Sequence, residues 1–103
     1  MSGYTVSPEA NQDLFEIWRY PARHAGVEIA NRVENKLYEA FEALSRTPGL
    51  GHRREDLTSH AVFFFTVYSY MVVYRLGTQP EIVRVLHGRR NVQRLLKQLS
   101  SEQ

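Results

Sequence analysis

Apolar positions recur every three or four residues in the first half of the chain and form unbroken runs in the second. Ala10, Leu14, Ile17 and Trp18 fall on one face of a helix, and Ile29, Val33, Leu37, Phe41 and Leu44 on one face of another. Ser7-Pro8-Glu9 opens the first helix: a hydroxyl to accept a free N–H, a proline suited to the first helical position, an acid at the positive end of the dipole. Pro21 is expected to end or kink it, and Gly26 marks the turn. The second helix begins near Val27 or Glu28 and stops at Thr47-Pro48-Gly49, so the pair forms an antiparallel hairpin. Ahead of it, Gly3 to Val6 reads as a short strand with Tyr4 and Val6 on one face.

After the loop PGLGHRRED, Val62–Tyr68, Tyr70–Leu76 and Ile82–Leu86 are rich in β-branched and aromatic residues and carry no helical stripe. Short turns between them imply an antiparallel meander. Asn91 to Leu99 reads as a short terminal helix with Val92, Leu95, Leu96 and Leu99 on one side. The expected fold is α+β: an N-terminal strand, a helical hairpin packed on a mainly antiparallel sheet, and a short C-terminal helix. In Phe63–Tyr68 and Tyr70–Leu76 apolar side chains occupy both faces, whereas a sheet with one solvated face alternates apolar with polar. The hairpin covers one face. The other is expected to stay partly exposed and to meet a protein partner.

The chain has 103 residues, which suits a single domain spanning 1–103, and an apolar fraction of 43% is enough for one modest core. Cysteine is absent, so disulfides and thiolate chemistry are excluded. No secretory leader or membrane-spanning run is readable, and a cytoplasmic protein is expected. The net charge is +2, but between Glu81 and Lys97 five cations (Arg84, Arg89, Arg90, Arg94 and Lys97) stand against Glu81 alone. The basic excess sits at one end and suits an anionic surface.

That end contains LHGRR, where a strand meets a histidine, a glycine and two arginines. Two readings stand. His87, Arg89 and Arg90 could contact a target or cleave RNA, with His87 as base or acid and Arg90 stabilising the phosphorane charge. Alternatively His87 closes the strand, Gly88 makes the turn and the arginines are solvated. Tyr74 and Arg75 are neighbours on a strand, so one faces the core and the other the partner. His52, Arg53 and Arg54 sit beside Glu55 and Asp56 and suit a local ion-pair cluster. Trp18 lies on the helix stripe and suits the core. No His/Asp/Glu set has metal-ligand spacing, so neither a metal nor a cofactor is expected.

The pieces YTVSPEANQDLFEIWRY, AFEALSRTPGLGHRREDL, YMVVYRLG and EIVRVLHGRR stand in an order and spacing that resemble the RelE/ParE superfamily of bacterial type II toxins, and its ParE-like branch most closely. The resemblance implies a cognate, ParD-like antitoxin encoded alongside, and operator DNA bound only indirectly, through that antitoxin. ParE-like members inhibit DNA gyrase without being nucleases. RelE-like members cut mRNA on the ribosome, often with an arginine near the end of the last strand and a tyrosine a few residues later. Here Arg90 stands at the arginine place, but Leu95 and Leu96 occupy the tyrosine region. The expected target-binding residues are therefore His87, Arg89, Arg90 and Arg94, and the expected antitoxin-binding residues Phe64, Tyr74, Arg75 and Arg84. The alternatives are a nuclease using His87 and Arg90, or a relic that only binds antitoxin.

Overall fold

The computed structural model describes residues 3–53, 62–88 and 94–95. Strand β1 (Thr5–Val6) leads into α1 (Pro8–His24) and α2 (Val27–Arg46), and a single 3-10 turn, Pro48–Leu50, follows. Strands β2 (Phe63–Val67), β3 (Tyr70–Arg75) and β4 (Glu81–His87) complete a four-stranded sheet of order β1-β4-β3-β2. The three late strands run antiparallel as a meander, and β1 joins β4 in parallel. The fold is mixed α and β, as the periodicities imply.

The start of α1 is built as the sequence suggests. Ser7 is extended, its Oγ accepts the Ala10 N–H at 3.0 Å, and Pro8 follows in the first turn. The stop is not at Pro21. The helix continues through it to His24, because the Pro21 carbonyl takes the Ala25 N–H at 2.7 Å and closes the last turn. Only the bond that Pro21 would have given Ile17 is lost. Gly26, at φ 101°, then reverses the chain.

The α2 stripe is rotated from the expected one. Ala30, Leu37, Ala40, Phe41 and Leu44 are buried, whereas Ile29 is exposed and Val33 only half-buried. Trp18 is half-buried at the hairpin seam, where its Nε1 donates to Asn31 Oδ1 at 2.9 Å. Against one sheet face Leu14, Ile17, Leu37, Phe41 and Leu44 pack with Val72, Tyr74, Ile82 and Val85, and this is the main core.

The other face is more closed than its composition implies. Val62, Phe64, Val73 and Leu86 form a second buried cluster, and Leu95 lies on it. Arg94 and Leu95 are helical; Val92, Leu96 and Leu99 of the expected terminal helix lie outside the described residues. The anticipated exposed apolar face is thus occupied, at its centre, by the chain's own leucine.

The outer edge of β4 is handled by α1. β1 covers β4 only at Glu81 and Ile82. Beyond it the Ser7 N–H donates to the Ile82 carbonyl at 2.9 Å and the Ser7 hydroxyl to the Val83 carbonyl at 2.7 Å. Asp13 Oδ2 then accepts the Val85 N–H at 2.9 Å. Two side chains from the cap and second turn of α1 replace a missing strand.

Candidate functional site: a cleft at the end of strand β4

The last residues of β4 border a cleft of about 550 Å³. Its α1 wall is Asp13, Glu16, Ile17 and Tyr20; Tyr70, Arg84, Val85, Leu86 and His87 form the sheet side, and Arg94 and Leu95 complete the lining. Register places Tyr70 directly across from His87, and their ring centroids are 4.8 Å apart. His87 Nε2 also lies 3.1 Å from Ser69 Oγ, in the two-residue turn between β2 and β3. Tyr68 in that turn has φ 56°, a left-handed conformation uncommon for an aromatic residue.

The charges in the cleft are largely matched. Arg84 donates from Nε to Asp13 Oδ2 at 2.7 Å and from Nη2 to Asp13 Oδ1 at 2.9 Å, a bidentate pair with both side chains mostly buried. Hydrogen bonding to Asp13 holds the Arg84 pKa above its ordinary value, against the opposing effect of burial. Glu16 pairs with Arg19 at 3.3 Å on the exposed side of α1. Burial pushes the Tyr70 hydroxyl pKa up, so it is protonated at neutral pH. Among the described residues, no group of three or more His, Cys, Asp or Glu could hold a metal ion.

Comparison with known proteins fixes what kind of chain carries this cleft. Residues 4–92 match the family model for the ParE toxin of the type II toxin–antitoxin system parDE. Toxin ParE1 of Caulobacter vibrioides is 35% identical over 91 residues, covering 88% of this chain and 94% of that protein. The chain belongs to the ParE toxin family. Toxin ParE3 of the same organism is 36% identical over 81 residues, 78% of this chain and 80% of that one. A solved structure described as a chromosomal ParDE toxin–antitoxin system from P. aeruginosa shares the fold. Its TM-score is 0.71 at 20% identity, over 84% of this chain and 96% of that chain.

In this ParE fold the candidate residues separate by environment. His87 and Arg94 do border one cleft, whereas Arg89 and Arg90 lie outside the described residues. The four antitoxin candidates do not form a patch. Tyr74 is fully buried on the helix side, its hydroxyl donating to the Pro48 carbonyl at 2.6 Å and accepting the Gly51 N–H at 2.9 Å. Phe64 is 4% exposed, in the second core beneath Leu95. Arg84 is held by Asp13, inside the cleft. Arg75 is exposed, at the end of β3 opposite Tyr70, 3.7 Å from Glu81. Tyr74 and Phe64 therefore offer a partner almost no surface, because each is used to close a core.

Sequence reasoning missed Asp13, Glu16 and Tyr70. The signal for Asp13 was present: with Ala10 and Ile17 it keeps an i, i+3, i+7 spacing, so a carboxylate sits on the apolar face of α1. For Tyr70 no linear signal exists, since only strand pairing brings it to His87.

Proposed function

We propose that this ParE-family chain arrests growth as a non-enzymatic inhibitor of a bacterial topoisomerase, DNA gyrase, and is neutralised by a ParD-like antitoxin. The cleft at the end of β4 and the basic segment after Gly88 form its target-facing surface. The observation that carries the non-enzymatic reading is the charge balance of the cleft. Cleaving RNA requires cations free to meet a phosphorane. Here Arg84 is committed to Asp13, and Glu16 adds a second carboxylate to the same wall. With Arg94 on the same lining, the cleft sets two carboxylates against two guanidiniums, so it offers a phosphate no net positive charge and suits a protein surface of mixed charge. The gyrase target rests on the resemblance to ParE-like inhibitors. On the hairpin, Phe15, Val27 and Tyr38 are exposed apolar side chains that an antitoxin could contact.

One observation favours the runner-up, a ribosome-dependent endoribonuclease. Tyr70 supplies beside His87 the tyrosine that is missing after Arg90. Expression without antitoxin separates the readings. DNA breaks and a damage response are expected, with mRNA intact at ribosomes. Cut mRNA without DNA damage would replace gyrase inhibition with nuclease action, and undisturbed growth would leave only antitoxin binding.

A further inference from the structure

We infer that Asp13, on α1, is a positioning residue for the toxic end of the chain, acting through β4 and not by touching the target. The inference rests on the reading that the segment after His87 meets the target. Three donors converge on this one carboxylate: Arg84 Nε at 2.7 Å, Arg84 Nη2 at 2.9 Å and the Val85 N–H at 2.9 Å. The Asp13 side chain is 14% exposed and that of Arg84 26%, so solvent competes little for these bonds. Val85 is two residues before His87 and three before Gly88, which leaves the strand at φ 83°. β1 ends its pairing at Ile82, so among the described residues no strand fixes the outer edge of β4 along this stretch. Asp13 fixes it, with Ser7 gripping the Val83 carbonyl two residues earlier. The seat of α1 on this edge sets where β4 ends, at His87 and Gly88, the residues that precede the basic segment in the chain.

This gives the Asp13–Arg84 pair two separable parts. The ion pair neutralises two charges, and replacing both by neutral groups leaves neither orphaned. The bond from Val85 positions the strand and needs an acceptor oxygen at position 13. Two double variants isolate it. Asp13→Asn with Arg84→Gln keeps an amide oxygen that can accept the Val85 N–H. Asp13→Ala with Arg84→Gln has the same charge and no acceptor.

The experiment measures growth arrest against the amount of folded toxin, with circular dichroism to confirm folding and amide exchange by NMR on the purified full chain. The alanine pair is expected to exchange Val85 about ten-fold faster than the asparagine pair and to shift the Leu86 and Gly88 resonances. It should also need about ten-fold more toxin for the same arrest, as loss of a buried bond of this strength implies. Two folded variants that arrest growth equally, or Leu86 and Gly88 resonances that stay put, would overturn the inference. Arg89→Ala with Arg90→Ala serves as the control for the underlying reading. If that variant arrests growth as fully as the wild type, the basic end is not the target contact, and the Leu86 and Gly88 resonances alone decide whether Asp13 positions the strand.

Discussion

Tyr74 shows how a residue with two plausible fates is settled by its hydroxyl. Buried on the helix side, it would cost free energy if the oxygen found no partner. The turn at Pro48–Leu50 supplies both an acceptor and a donor. Gly51 is part of the same arrangement: a Cβ there would lie 2.4 Å from the Tyr74 oxygen. Tyr74→Phe should destabilise the domain by roughly 1–3 kcal/mol, since it orphans the Pro48 carbonyl and the Gly51 N–H. Gly51→Ala should cost a similar amount, roughly 1–3 kcal/mol, by overpacking. Chemical denaturation checks both, and wild-type midpoints would refute the clamp. Tyr68 gives the opposite sign. It is 60% exposed, so little packing offsets its strained φ of 56°. Tyr68→Asn, which tolerates this region better, should raise stability by roughly 0.5 kcal/mol, a rise of about 2–4 °C in melting temperature.

At the scale of elements, α1 does more than cover the sheet. Its cap residue uses one hydroxyl twice, accepting from Ala10 to start the helix and donating to Val83 to hold β4. A change at Ser7 therefore loosens both elements. Ser7→Ala is expected to cost about 2 kcal/mol, at the upper end for a lost cap, because the β4 bond goes with it. Thermal unfolding measures the total, and amide exchange locates it: Ala10 should exchange faster, as should the amides at the outer edge of β4. A loss confined to α1 would mean that the Val83 bond contributes nothing. The passage of α1 through Pro21 has the same logic. A proline removes one helical bond, and the last turn closes on the proline's own carbonyl.

For the molecule as a whole, the question at the basic end is whether a proton is moved. His87→Gln keeps a polar side chain of similar reach but cannot shuttle a proton near neutral pH. As an inhibitor the variant should still arrest growth, whereas a nuclease that lost a general acid–base group would fall by about 10²–10⁴-fold. Arg89→Ala with Arg90→Ala should weaken arrest while leaving circular dichroism unchanged. A harmless, folded His87→Gln beside a fully toxic arginine variant would reverse the assignment. Global stability should also report the tyrosines. Tyr4, Tyr70 and Tyr74 have pKa values raised above 10.0, in each case chiefly by burial. The folded state holds these protons more tightly than the unfolded one. Stability from this source is then complete below about pH 10 and declines as pH rises through the raised values. Alkaline unfolding monitored by tyrosinate absorbance should show this order.

Local patterns were enough for the elements. A 3.6-residue period, a serine–proline cap and runs of β-branched residues each act within a few residues, so the hairpin, the meander and the α1 start were legible in the chain. The family resemblance was legible too, because it rests on the order of such pieces. What the tertiary structure alone decided was which partner each side chain met. Phe64 and Tyr74 looked like surface for a partner because alternation along a strand cannot say what lies over either face; Leu95 covers one and the hairpin the other. Asp13 and Arg84 stand 71 residues apart, and Tyr70 and His87 meet only through strand register. Electrostatic pairing and edge closure act through space at about 3 Å, and sequence spacing carries no distance between elements until the chain has folded back on itself.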